Sequence, residues 1–174
     1  MKSSQTHLWI TLIVILLIVS VGFNLYFIIK SHKTTKNISN LVTAYGKELS
    51  GDMIGLTELL YKAKENNWKN AQDLLSIAQT TQLAKTKSYF LLDMNPLLSE
   101  NMQETLAPLD SFTIALNEDL FAFNEAIANL NKGLPIDSKR LEDIRTKVEN
   151  AKFPLQDEFS ISELRFAIER YLGK

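Results

Sequence analysis

From Leu8 to Ile29 the chain runs without one charged side chain, whereas beyond residue 30 apolar positions recur at helical spacing among charges. A helix over 8–29 would be about 33 Å long, enough to cross the hydrocarbon core of a bilayer. The pattern predicts a short N-terminal tail (1–7), a transmembrane helix (8–29), a basic juxtamembrane segment (30–36, with Lys30, Lys33 and Lys36) and a helical domain (37–174). A signal peptide cut near Ser20-Val21-Gly22 is the competing reading. The apolar run, however, continues through Phe23 to Ile29, past the 7–15 residues usual for a signal-peptide core, so an uncleaved anchor is expected. Trp9 and Tyr26 sit near its ends, where amphipathic rings favour the interface. Ser20 and Asn24 lie one turn apart and either contact another membrane helix or place an amide in interfacial water.

The remainder reads as helix throughout, without strand-like alternation or hairpin turn pairs. A first helix over 34–63 places Ile38, Val42, Tyr45, Leu49, Leu56, Leu59 and Ala63 on one seam, with Asp52 as the polar exception. Gly46, Gly51 and Gly55 fall in the same stretch: close helix approach would explain the Gly51/Gly55 pair, and local flexibility all three. Asn66-Asn67 is the expected break and cap. A second helix over 68–92 then aligns Trp68, Ala71, Leu75, Ala78, Gln82 and Tyr89 on one face. Asn95-Pro96 opens a third helical region to Asn131, with Met102, Leu106, Leu109, Thr113, Leu116, Leu120, Phe123, Ile127, Leu130 and Leu134 in alternating steps of four and three. Pro108 predicts a kink or restart and Gly133 a stop. Pro135-Ile136-Asp137 begins a shorter helix with Leu141, Ile144, Val148 and Ala151 on one side, ended at Phe153-Pro154. Ser160 and Glu163 form a capping box for a last helix to about Leu172, with Phe159 and Leu164 as the staple. The expected fold is all-α: an N-terminal transmembrane helix followed by an antiparallel four-helix bundle with a short fifth C-terminal helix.

Charge narrows the function. All 20 acidic residues lie after residue 30 and slightly outnumber the lysines and arginines there, so no basic field exists to attract nucleic acid. Cysteine is absent, and the two histidines, His7 and His32, flank the apolar run. The domain therefore lacks the histidine that most general acid-base catalysis uses, any Glu-x-x-His metal pair, and a glycine-rich phosphate loop. No enzyme activity, cofactor or metal is expected, with a membrane-bound hydrolase built on paired carboxylates as the remote alternative.

The candidate residues are those of an interaction surface. Between Ser88 and Asn131 there is no Lys or Arg, while Glu118, Asp119 and Glu125 belong to an acidic run flanked by basic stretches. This is either a surface for a basic partner or charge complementarity between neighbouring helices. Asp110, Asn117, Asn124 and Asn131 recur every seven residues beside the apolar seam, as a polar stripe for a partner or as an exposed heptad position. Phe121 and Phe166 fall off the main apolar faces, as an exposed patch or as secondary core packing.

The lysines after the run favour the domain inside under the positive-inside rule, but long domains translocate largely regardless of charge. The short tail before the span is the signal-anchor layout, so the tail is placed inside and the domain outside the cytoplasm. The anchor and the stretch N-N-W-K-N-A-Q-D-L-L, with Asn67, Trp68 and Ala71, resemble a group of uncharacterised one-span helical proteins of Gram-positive bacteria. The resemblance covers about residues 1–90; Ser160 to Lys174 departs from it, and the group implies no activity. The layout is also similar to the four-helix sensory modules of chemoreceptors, which need a second span that this chain lacks. The expected function is a single-pass, non-enzymatic interaction or scaffold module that engages another membrane or envelope protein or associates with itself. The alternative is a small-ligand sensing or accessory module signalling through a partner membrane protein.

Overall fold

The computed structural model describes residues 2–174, with side chains at Ser20, Lys30 and from Lys33 onward. The expected span over 8–29, including Asn24, lies outside the described side chains, except Ser20, which is exposed. Among the described residues, no helix is long and apolar enough to cross a membrane. The chain divides into two compact units, Met1–Ile38 and Ser39–Lys174. In the first, the backbone is helical from Lys2 and Thr34 Oγ1 donates to the Lys30 carbonyl at 3.0 Å.

The second unit is built from the end of α1 (Lys2–Glu65), α2 (Ala71–Met94), α3 (Glu100–Leu106), α4 (Leu109–Asn131), α5 (Ser138–Ala151) and α6 (Ile161–Tyr171). Two single 3-10 turns, Asn95–Leu97 and Gln156–Glu158, join them, and no strand occurs among the described residues. The all-α expectation holds.

The helix ends follow from local chemistry. The expected break at Asn66-Asn67 is real, but it closes α1 rather than opening α2. Asn67 takes a left-handed φ of 50°, its N–H bonds the Lys64 carbonyl at 2.8 Å, and the Trp68 N–H bonds the Ala63 carbonyl at 2.8 Å. This is a Schellman ending with asparagine in the position glycine usually fills. Asn70 caps α2 instead, its side chain accepting from the N–H groups of Gln72 and Asp73. Pro108 produces the restart, separating α3 from α4. Gly133 (φ 69°) and Gly173 (φ 72°) terminate α4 and α6 with the same paired bonds. Asp137 caps α5 and Ser160 caps α6 through the N–H groups of Arg140 and Glu163.

Cross-helix pairs give the topology. Tyr45 stacks on Phe90 at 3.9 Å, and Lys62 reaches Asp73 at 3.0 Å, so α1 and α2 run antiparallel. Lys85–Asn117 (2.7 Å) and Ser88–Thr113 (2.8 Å) set α2 antiparallel to α4. Lys147–Asp119 (2.7 Å) and Arg140–Glu125 (3.3 Å) do the same for α5 on α4. Lys64–Glu142 (2.7 Å) and the Tyr61–Glu149 hydrogen bond return α5 to α1, closing a four-helix ring. α6 packs on α5, α3 and α4 and brings Phe159, Ile161 and Leu164 over Gly46 of α1. A Cβ on Gly46 would stand 2.7 Å from the Phe159 ring, while nothing lies within 4 Å of Gly55 and only Gln156, at 3.7 Å, faces Gly51. Close approach therefore belongs to Gly46, not to the Gly51/Gly55 pair.

The core is lined by Val42, Leu49, Met53, Leu56 and Leu60 of α1, Leu74, Ile77 and Leu91 of α2, Leu109, Phe112, Leu116 and Phe123 of α4, and the expected stripe of α5. Leu134, expected to extend the α4 seam, is exposed, because the chain turns left-handed at Gly133 and leaves the helix axis.

Candidate interaction surface

The residues singled out on α4 divide between its two flanks. On the flank toward α5 and α6, Asp119 is only 6% exposed and is not part of any surface. Its carboxylate takes Lys147 Nζ at 2.7 Å and accepts the Tyr171 hydroxyl proton. Burial, and then the Asp119 charge, push the Tyr171 phenol well above its usual range, so it stays a neutral donor. The Tyr171 ring sits edge-on to Phe112 at 4.9 Å, with Lys147 Nζ 4.5 Å from its centre. A lone buried carboxylate would be costly; ion pairing and hydrogen bonding offset that cost here. Charge complementarity between helices thus accounts for Asp119, and for Glu125 through Arg140. Glu118 is solvent-exposed between the two flanks. Phe166 is half exposed on α6, away from α2, and does not join Phe121.

The opposite flank of α4 meets α2, and here the structure corrects the expected seam of α2. Leu75, Gln82 and Tyr89 were placed on the packed face with Ala78, yet all three are exposed. Asp73 is buried in the first turn against Lys62 and Asn66, and the stripe that follows it is Leu74, Ile77, Ala78, Thr81, Ala84, Ser88 and Leu91. Two of its members are polar, which hides the stripe in the sequence. Both are satisfied locally: Thr81 donates to the Ile77 carbonyl, Ser88 to the Lys85 carbonyl, and the Ser88 oxygen accepts from Thr113. Satisfied hydroxyls carry little penalty in a core. Turning α2 inward on this stripe leaves a second apolar set outside.

That set and α4 form one continuous face. An open groove of about 540 Å³ runs between the helices, lined by Leu75, Ala78, Gln79, Gln82, Leu83, Leu120 and Asn124. Asn117 beside it accepts from Lys85 at 2.7 Å, and Lys85 also stands 5.9 Å over the Tyr89 ring. Ile114 and Phe121, one heptad apart on α4, are 55% and 63% exposed on the same flank. Asn117, Phe121 and Asn124 were legible from the heptad and the misplaced aromatic. Leu75, Leu83, Tyr89 and Ile114 were not.

Two other features have some of the makings of a site. A cavity of about 210 Å³ between α4 and the start of α5 is lined by Glu125, Asn129, Asp137 and Arg140. It is smaller than ordinary ligand pockets, and its charges are paired already, Arg140 with Glu125 and Asp137 with the α5 N-terminus. The α1/α5 seam holds Lys64, Glu142, Arg145, Glu149 and Tyr61. The Arg145 hydrogen bonds, and then Lys64, lower the Glu142 carboxyl to about 2. Among the described residues no group of His, Cys, Asp and Glu could hold a metal ion.

The chain matches no protein-family model, no curated protein and no solved structure, so its own residues carry the functional argument.

Proposed function

We propose that the protein is a non-enzymatic, single-pass membrane protein whose bundle, held outside the cytoplasm, acts as an interaction or scaffold module. The anchor in this proposal is the uncharged run over 8–29. The observation that carries the interaction role is the α2/α4 face. It leaves Leu75, Leu83, Tyr89, Ile114 and Phe121 exposed on two neighbouring helices, whereas the other exposed large apolar residues, such as Leu41, Leu97, Leu155 and Phe166, are spread over separate elements. Scattered exposed apolar residues need no explanation, but a contiguous set flanking a groove is the signature of a binding surface.

The test combines topology with native size. A reporter active only outside the cytoplasm, fused after Lys174 in living cells, is expected to be active in the membrane fraction. Native electrophoresis of mild-detergent extracts is expected to show an assembly that Phe121→Glu disrupts. An active reporter only in cytoplasmic format, or migration as a monomer unaffected by the substitution, overturns the proposal.

A further inference from the structure

We infer that the α2/α4 face binds the same face of a second copy of this chain. The inference deepens the interaction reading and rests on it. Its first support is that the face carries both halves of a contact. Ile114 and Phe121 project as a ridge. Beside them, at 100° per residue, Asn124 lies about 60° and Leu120 about 100° around the helix from Phe121, and both help line the groove with Leu75 and Leu83. A two-fold axis lying in the contact plane, parallel to the helices and midway between ridge and groove, sets each copy's ridge against the other's groove, which is the condition for a closed, isologous dimer.

Charge gives the second support. A face that meets its own copy must not repel it. The charges there are few and of both signs: Lys85 keeps its charge against the neutral Asn117 amide, Glu118 is exposed beside the ridge, and Glu125 at the α4 margin is paired with Arg140. The neutral polar groups there are amides: Gln79, Gln82, Asn117 and Asn124. An amide is both donor and acceptor, so it can pair with its own kind across a two-fold axis. The α1/α5 seam offers no such surface, since Lys64, Glu142, Arg145 and Glu149 cover it with charge.

Size is the third. Helices of 24 and 23 residues present a face about 35 Å long and about 20 Å wide, or about 700 Å². A standard protein interface buries about 800 Å² on each partner. The face is therefore of the area a stable dimer needs, with no further element required to complete it.

Photo-crosslinking of the full chain in the membranes of the producing cell tests this directly. Benzoylphenylalanine replaces Phe121, or Thr146 on α5 as the control position, both exposed in the monomer. Irradiation at 121 is expected to give one adduct at about twice the 19.8 kDa chain mass, at least fivefold weaker when Leu83→Glu is added and absent at 146. Leu83 is 54% exposed, so the substitution leaves the helical circular dichroism spectrum unchanged and its effect is read as loss of contact. An adduct of another mass, or a ladder of higher multimers, overturns the two-fold dimer while leaving an interaction surface. A dimer band of equal strength at 146, or one indifferent to Leu83→Glu, assigns association to some other part of the chain and overturns the inference. No adduct of any mass at 121 overturns both this inference and the interaction reading.

Discussion

Replacing Tyr171 with phenylalanine removes a single hydroxyl from a buried polar contact of the bundle. Tyr171 is 1% exposed and its hydroxyl donates to the buried Asp119 carboxylate. Phenylalanine keeps the edge-on contact with Phe112 and the ring beneath Lys147, so the change isolates the hydrogen bond. A hydrogen bond to a charged group contributes about 1.5–3 kcal/mol, and the loss is larger when its partner stays buried. Asp119 keeps Lys147, which approaches both carboxylate oxygens at 2.7 Å. The expected loss is therefore near the middle of that range, about 2 kcal/mol, or a fall of about 7 °C in Tm for a domain of this size. Urea unfolding of residues 39–174, followed by far-ultraviolet circular dichroism, gives the value. The same pair makes a signed statement about pH. The Tyr171 phenol is raised in the folded state, so its contribution is present below the ordinary tyrosine value of about 10 and is lost as pH climbs beyond it. Wild type should lose stability above pH ~10 more steeply than Tyr171→Phe. A variant within ~0.5 kcal/mol of wild type, with a parallel alkaline limb, would refute the claim that this contact offsets the burial of Asp119.

Other substitutions probe the packing and the charged seam. Gly55→Ala should stabilise the bundle by about 0.5–1 kcal/mol through helix propensity alone, since nothing lies within 4 Å of the added methyl. Gly46→Leu should destabilise it by about 1–3 kcal/mol, because Phe159, Leu164 and Ile161 occupy the space; equal effects in urea titrations would mean α6 does not dock there. The lowered Glu142 carboxyl contributes stability that is present above the ordinary glutamate range and is lost as pH falls toward about 2. Thermal scans between pH 6 and 2 should therefore show a shallower acid limb for Glu142→Gln, and superimposable limbs would remove the Arg145–Lys64 clamp from the account.

The parts of the fold that sequence made visible are those where one strong local rule acts alone. Asp137, Ser160, Gly133 and Pro108 each stop or start a helix by a mechanism that needs no tertiary partner, and each does so in the structure. The single apolar stripe of α5 was unambiguous for the same reason. In α2 two apolar stripes compete, and the buried one contains Thr81 and Ser88. Its register is matched across the helices by Thr113 of α4 donating to the Ser88 oxygen, a contact between residues 25 positions apart. Asp119 was invisible as a core residue because its burial depends on Lys147 and Tyr171, both distant in the chain. The surface was partly legible through Asn117, Phe121 and Asn124, and its other half appeared only once the register of α2 was known.

The proposed function requires that the bundle be tethered to a membrane and held outside the cytoplasm. The chain has no cysteine, so a single Thr146→Cys substitution, at an exposed position on α5 outside the α2/α4 face, reports that placement without background. A membrane-impermeant maleimide should label this variant on intact cells to the same extent as after lysis, with all labelled chain in the carbonate-washed membrane fraction. Labelling only after lysis, or labelled chain in the soluble fraction, would contradict the account.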